Sequence, residues 1–323
     1  MSKPAAIFAT DPAGIAEAAR LLRAGGLVAL PTETVYGLAA DGSAAHATAL
    51  IYAAKGRPSF NPLIAHLPDM AAARRQGLFS AQALALAKAF WPGPLTLVVP
   101  ITPDCTVCEL ARAGLATVGL RVPHHIATLA VLELVARPVV APSANRSGHV
   151  SPTSADHVLA DLGGMIDAVL DAGPCPVGVE STIIACLGGA PRLLRPGGIT
   201  RAQAEAVIGQ NLPDAGHSNA APMAPGQLVS HYAPNARLRL DAEAPLPGEA
   251  WLGFGPDPDV SMAHASANLS HDADMIEAAA KLFACLRALD ASGAKRIAVA
   301  PIPQHGLGEA IRDRLLRAAA PRS

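Results

Sequence analysis

The chain has 323 residues, a formal net charge of −1, and a composition that is 51% hydrophobic but only 3% aromatic. That length suits about two packed domains, and the near-neutral balance excludes a globally basic nucleic-acid surface while leaving room for a local basic cleft. No apolar run reaches the roughly 18 residues of a membrane span, no signal peptide is visible, and five cysteines form no scaffold pattern, so a cytoplasmic protein without membrane contact is expected.

In chain order, Asp11 and Pro12 supply an N-cap and first position for a helix over residues 13–24, closed by Gly25-Gly26. A buried strand over 27–30 ends at Pro31. The turn Pro31-Thr32-Glu33-Thr34-Val35-Tyr36-Gly37-Leu38 then places hydroxyls and a carboxylate at a strand's carboxyl end, where α/β sheets bind ligands. The same stretch also suits a turn that prepares the next helix. A helix over 45–54 runs into Lys55-Gly56-Arg57-Pro58, followed by Asn61-Pro62-Leu63. Pro58 and Pro62 fix φ and extend the residues before them, which presents Lys55 and Arg57 on a stiff, non-helical turn. Pre-ordered cations lose little entropy on binding, so the turn suits a polyphosphate better than a solvated charge pair.

Further strands are predicted at 63–67, 95–101, 117–122, 139–141, 168–170, 181–187 and 192–194. Helices are predicted at 70–75, 81–90, 126–136, 154–162 and 201–208, which together imply one large sheet with helices against it. His66, beside the Asn61 turn, is either a satisfied core histidine or a functional group. Arg121 interrupts the apolar strand Gly119-Leu120-Arg121-Val122-Pro123, so it is either half of a structural ion pair or an anion ligand. The small residues of Ala141-Pro142-Ser143-Ala144-Asn145 allow close backbone approach to a ligand, whereas Ser151 to Ser154 also suits a plain N-cap region. Gly178-Val179-Glu180-Ser181-Thr182 and Leu194-Arg195-Pro196-Gly197-Gly198 again pair a strand-borne hydroxyl with an arginine locked before proline. Cys105 and Cys108 have metal-ligand spacing but no second pair, and His124-His125 reads as surface. P-loop, dinucleotide and nucleophile-elbow motifs are absent.

Residues 212–227, rich in Pro, Ala, Gly, Asn and Ser, read as a linker. Beyond it, strands at 237–240, 251–254 and 296–300 and helices at 272–289 and 308–319 make a small open α/β domain.

Taken together with Trp91-Pro92-Gly93-Pro94-Leu95-Thr96, these stretches resemble the threonylcarbamoyl-AMP synthases, the YrdC-type domain family, over about residues 8–210. His231-Tyr232-Ala233-Pro234 and Gly306-Leu307-Gly308-Glu309-Ala310-Ile311-Arg312-Asp313-Arg314 resemble the family's long form, which carries an extra C-terminal domain. The resemblance implies an α/β fold: a YrdC-like twisted mixed sheet with flanking helices over 1–208, a linker or lid over 209–235, and a small Rossmann-like open α/β domain over 236–323. It implies a nucleotidyltransferase that forms threonylcarbamoyl-AMP and pyrophosphate from L-threonine, bicarbonate or CO2, and ATP with Mg²⁺. The product serves a tRNA threonylcarbamoyltransferase that modifies an adenosine beside the anticodon. By matching position, Thr34, His66, Arg121, Ala141 and Ser181 would hold threonine, and Arg57, Asn61, Thr117, Ser143, Ser151, Arg195 and Tyr232 would hold ATP. Lys55, with Arg57 the expected catalytic pair, would sit at the phosphates or at the carbamate. No protein side chain is expected to bind the metal, which the phosphates carry. The rival reading is an RNA-binding module of translation or tRNA maturation without its own catalysis; net charge −1 and few aromatics rank it second, with weak RNA contact retained as a secondary partner.

Overall fold

The computed structural model describes residues 4–215, 224–225 and 231–321. Its first unit runs β1 (Ala6–Ala9), α1 (Pro12–Arg23), β2 (Val28–Leu30), β3 (Gly37–Asp41), α2 (Ala45–Lys55), β4 (Ile64–His66), α3 (Met70–Gln76), α4 (Ala81–Phe90) and β5 (Leu95–Pro100). It continues with β6 (Thr117–Arg121), α5 (Ile126–Val135), β7 (Val139–Val140), α6 (Ala155–Leu162), β8 (Ala168–Asp171), β9 (Thr182–Ala185), β10 (Arg192–Arg195) and α7 (Arg201–Ile208). Local signals set several boundaries. Asp11 accepts the Gly14 N–H at 2.8 Å to start α1, and Gly56, at φ 59°, closes α2 in the left-handed conformation that glycine adopts freely.

Among the described residues these strands form one ten-stranded mixed sheet in the order β1-β8-β2-β3-β7-β4-β6-β5-β9-β10. Strand alternation divides its faces. Leu97 and Val99 of β5 point into the main core with Ile51 and Leu86 from the helical layer, whereas Val98 points the other way, into a cluster with Ile64, Ile183 and Leu194. Ala224 covers that second face and Ala215 packs against it, and no helix residue joins the cluster. The sheet is therefore left open there to a cleft rather than sealed by a helix.

The second unit comprises β11 (Arg237–Arg239), β12 (Ala250–Gly253), β13 (Ser266–Asn268), α8 (Met275–Ala291), β14 (Arg296–Val299) and α9 (Gly308–Ala319). Its strands are all parallel, in the order β11-β14-β12-β13. Its core of Leu252, Leu282, Phe283, Ile297 and Ile311 also takes in Val35, Val150 and Val179 of the first unit. The contact is close at Gly178, where φ is +74° and a Cβ would lie 2.3 Å from the Ala279 carbonyl oxygen of α8. Only glycine fits both the conformation and the space.

The mixed sheet with flanking helices and the small parallel α/β unit agree with the expected architecture. Three strands lacked a sequence signal: β1, β3 and β13. The segments Gly37-Leu38-Ala39-Ala40-Asp41 and Ser266-Ala267-Asn268 are poor in β-branched residues, and β3 is buried on both faces, so neither composition nor alternation marks it. The turn after β2 leads into β3, not into a helix. One expectation needs correction: Lys55 is the last helical residue of α2, and only Gly56 onward leaves the helix. No helix of the described residues is long and apolar enough to cross a membrane.

Candidate active site

Two groups of polar side chains meet the open face of the sheet. The first is built on β4 and β6, whose parallel register sets His66 beside Arg121. Arg121 Nη2 donates to Glu33 Oε1 at 2.7 Å and to Thr34 Oγ1 at 3.0 Å, and Nε donates to the Gly93 carbonyl at 3.3 Å. Nη1 bonds no described residue. Thr34 is held by its turn, where Thr32 Oγ1 accepts the Thr34 N–H at 3.1 Å and lies 2.8 Å from Thr34 Oγ1. Glu33 also accepts the His124 N–H at 3.0 Å, so this carboxylate is fixed between two donors. The partner that a buried Arg121 requires is thus Glu33. His66 lies 3.2 Å from the Ile64 carbonyl through Nδ1; burial and the nearby Arg121 push its pKa down to about 3, so it is neutral at working pH. Ala141 donates its N–H to the Ile64 carbonyl at 3.1 Å and packs against Gly37, where a Cβ would come 3.1 Å from that of Ala141.

The second group is cationic. Lys55, Arg57 and Arg195 are only 3%, 8% and 4% exposed. None has a salt-bridge partner among the described residues. Lys55 Nζ donates to the carbonyls of Ser143 (2.5 Å) and Asn145. Burial, and next Arg57, hold its pKa well below the ordinary lysine value. Arg57 makes only long bonds, 3.4 Å to the Asn61 carbonyl and 3.3 Å to that of Pro62, and burial lowers its pKa to about 10. Arg195 sits past a register shift in β10 that turns its side chain back across β9, where Nη2 reaches the Ser181 carbonyl at 2.8 Å and Ser181 Oγ at 3.2 Å. That approach needs Gly197, since a Cβ there would lie 2.3 Å from the Glu180 carbonyl oxygen. Ser181 Oγ in turn pairs with Thr96 Oγ1 at 2.8 Å, so it touches both groups' elements.

The remaining expected residues fall around these. Thr117 lines a cleft of about 280 Å³, open to solvent, with Pro62, Ile64, Thr96, Gly119 and Ala224. Ser151 is buried, and its hydroxyl donates to Glu180 Oε1 at 2.5 Å. Tyr232, at φ 63°, is buried against Phe283 of α8, with ring centroids 5.7 Å apart. The side-chain oxygens of Asn61, Asn145 and Tyr232 and Nδ1 of His231 are buried without a partner among the described residues. Burial lowers the His231 pKa to about 3, with Glu180, Arg57, Lys55 and Arg195 all acting on it, so the end of the linker lies amid the cations. Nearly half of the expected linker or lid, residues 216–223 and 226–230, lies outside the described residues. His124 is exposed, but His125 is half-buried with an unpartnered Nδ1, so the surface reading holds only for the first of the pair.

The site was larger than the sequence reading had it. Glu33 was visible as a carboxylate at a strand end without an assigned role, while Thr96, Glu180, His231 and Arg314 were not singled out. The available signal was the need of a buried arginine for a carboxylate, which Glu33 meets for Arg121 and Glu180 for Arg314.

The fold and site define an α/β protein of two units with a group of buried cations beside the large sheet. Residues 20–197 match the family model described as telomere recombination, and residues 199–320 match that of the threonylcarbamoyl-AMP synthase C-terminal domain. The chain is 42% identical to the threonylcarbamoyl-AMP synthase of Bacillus subtilis, over 98% of this chain and 95% of that one. It is 39% identical to the enzyme of that name from Pyrococcus abyssi, over 94% and 93% of the two chains. The crystal structure of P. abyssi Sua5 complexed with L-threonine superposes with a TM-score of 0.89 at 36% identity, covering 97% of each chain. The chain belongs to the threonylcarbamoyl-AMP synthase, or YrdC-type, family in its long form with the additional C-terminal domain.

Proposed function

We propose that the protein is an L-threonylcarbamoyladenylate synthase, a nucleotidyltransferase that joins L-threonine, bicarbonate or CO2, and ATP into threonylcarbamoyl-AMP with release of pyrophosphate. One observation carries the reading: three cations are buried near one another, and none forms a salt bridge with a described carboxylate. Buried unpaired charge is costly, so such a cluster is a site preformed for a polyanion. The triphosphate of ATP supplies that charge. The names of the relatives and the threonine bound in the P. abyssi structure supply the second substrate.

Threonine's neutral amine adds to CO2 with loss of a proton, or to bicarbonate with loss of water, to give a carbamate, and a carbamate oxygen attacks the α-phosphorus as the bond to pyrophosphate breaks. An anion must approach a polyanion, so alignment and charge neutralisation dominate the barrier. Lys55, Arg57 and Arg195 neutralise the phosphates; Asn61, Thr117, Ser143, Ser151 and Tyr232 line the nucleotide. Arg121 takes the threonine carboxylate through Nη1, while Thr34, neutral His66, Ala141 and Ser181 complete its pocket. Mg²⁺ enters as part of the nucleotide substrate. Among the described residues no three His, Cys, Asp or Glu side chains group as a metal site, and Glu180 and Asp313 are already engaged by Arg314. The burial of Lys55, Arg57 and Arg195 limits water around a mixed anhydride prone to hydrolysis. The product passes to a tRNA threonylcarbamoyltransferase in the cytoplasm.

The test is pyrophosphate release with MgATP. Release that requires both L-threonine and bicarbonate is expected; threonine-independent release, or none, overturns the reading.

A further inference from the structure

One side chain of the C-terminal unit enters the first unit from α9. Arg314 is fully buried. Its Nε donates to Glu180 Oε2 at 2.8 Å, and its Nη1 donates to the Pro196 carbonyl at 2.9 Å and to Asp313 Oδ2 at 2.7 Å. Glu180 accepts the Ser151 hydroxyl on its other oxygen, and Pro196 directly follows Arg195. Arg314 therefore grips the immediate neighbours of two residues assigned to the nucleotide. Its guanidinium also lies over the Tyr232 ring, 5.2 Å from the centroid, under the third. The hold is reinforced from α8, where Arg287 donates to the carbonyls of Val150 and Ser151 and pairs with Asp161 at 2.8 Å. None of the Arg314 bonds reaches Thr34, His66 or Arg121.

We propose that Arg314 is a positioning residue for the nucleotide half of the site, by which the C-terminal domain completes a pocket that the first domain only partly forms. It acts through Glu180 on Ser151 and through Pro196 on Arg195. A serine hydroxyl has one proton, and an ionised Glu180 fixes where it goes, so Ser151 Oγ turns its lone pairs toward a donor such as a ribose hydroxyl or adenine amine. Burial alone would raise the Glu180 pKa; Arg314 first, then Arg195 and the Ser151 bond, reverse this and bring it to about 2, so the arrangement persists at neutral pH. Without Arg314 the buried carboxylate loses its main counter-charge, and its tendency to protonate releases Ser151. The proposal rests on the reading that Ser151 and Arg195 meet ATP, and it adds that the second domain sets their geometry.

The test uses the full chain and the variants Arg314→Met and Arg314→Lys. Misplaced groups in a preorganised site cost up to about 10²-fold, so Arg314→Met should raise the KM and Kd for MgATP by one to two orders of magnitude while the threonine KM stays within about threefold. Lysine keeps the charge but not the fork, so Arg314→Lys should regain thermal stability and only part of the ATP affinity. Ser151→Ala should cost little further ATP affinity when added to Arg314→Met, because both act through one hydroxyl. If Arg314→Met fails to fold, Glu180→Gln/Arg314→Met removes the stranded carboxylate and should show the same selective ATP defect. Unchanged ATP affinity in the folded variants, or parallel loss for ATP and threonine, overturns the proposal. Wild-type protein that binds no MgATP overturns the functional reading itself and takes this inference with it.

Discussion

The two halves of the cleft bury the same kind of group and balance it differently. Around Arg121 the charge is closed within the protein: Glu33 faces the guanidinium at 2.7 Å, leaving one nitrogen for a ligand. Among the described residues Lys55, Arg57 and Arg195 bond only carbonyl and hydroxyl oxygens, and no salt bridge closes their charge. An amino acid zwitterion carries no net charge, and a balanced pocket can hold it. A triphosphate carries several negative charges, and an unbalanced pocket pre-spends the neutralisation it needs. The same fold thus sorts its two substrates by how completely it compensates its own arginines.

This contrast can be broken in order of expected effect. Removing the counter-charge of the balanced half should be the most damaging to the fold. Glu33→Ala strands Arg121 and should lose about 3–5 kcal/mol in urea unfolding; wild-type stability in this variant would show that the pair is dispensable. Next, Lys55→Ala and Arg57→Ala should cut pyrophosphate release about 10²-fold or more while the circular dichroism stays native. Full activity in both would make that turn structural only.

Acid should act on both halves through their buried histidines. His66 and His231 have folded pKa values near 3 against an ordinary 6.5. Between those values the unfolded chain binds a proton that the folded one refuses, so stability falls as pH drops from 6.5 toward 3 and is insensitive to these groups above 6.5. Each contributes a slope of up to about 1.4 kcal/mol per pH unit, and His66→Gln should flatten the measured dependence by that share. A variant slope equal to wild type would place His66 in contact with solvent. The smallest effect is the most diagnostic of the contrast. Arg57→Met should leave the ligand-free unfolding midpoint unchanged or raise it by ~1 kcal/mol, because an uncompensated charge leaves the core. Arg121→Met should lower it, and equal loss at both positions would erase the distinction between the halves.

Much of this site was legible because its constraints are local. Prolines around Lys55 and Arg57, the hydroxyl turn after β2, the arginine within apolar β6 and the glycines beside Ser181 and Arg195 all stand within a few residues of the groups they position. Helix starts were legible for the same reason: Asp11, Ser80 and Thr200 cap α1, α4 and α7 through their own third neighbours. Strands β3 and β13 were not, since their residues are indifferent strand formers, and the short β1 is placed by β8, a partner remote in sequence.

The sequence by itself determined a two-unit α/β protein with cations on proline-braced turns, and that Arg121, inside an apolar strand, would need a partner. Only the tertiary structure decided which carboxylate answers which arginine. Arg121 finds Glu33 across 88 positions, and Arg314 finds Glu180 across 134 and across two domains. Arg57 and Arg195 form no ion pair with a described carboxylate, although Glu180 feels the charge of Arg195. The reason is physical: compensation is a matter of distance through a low-dielectric interior, and no spacing along the chain encodes that distance until the sheet has formed.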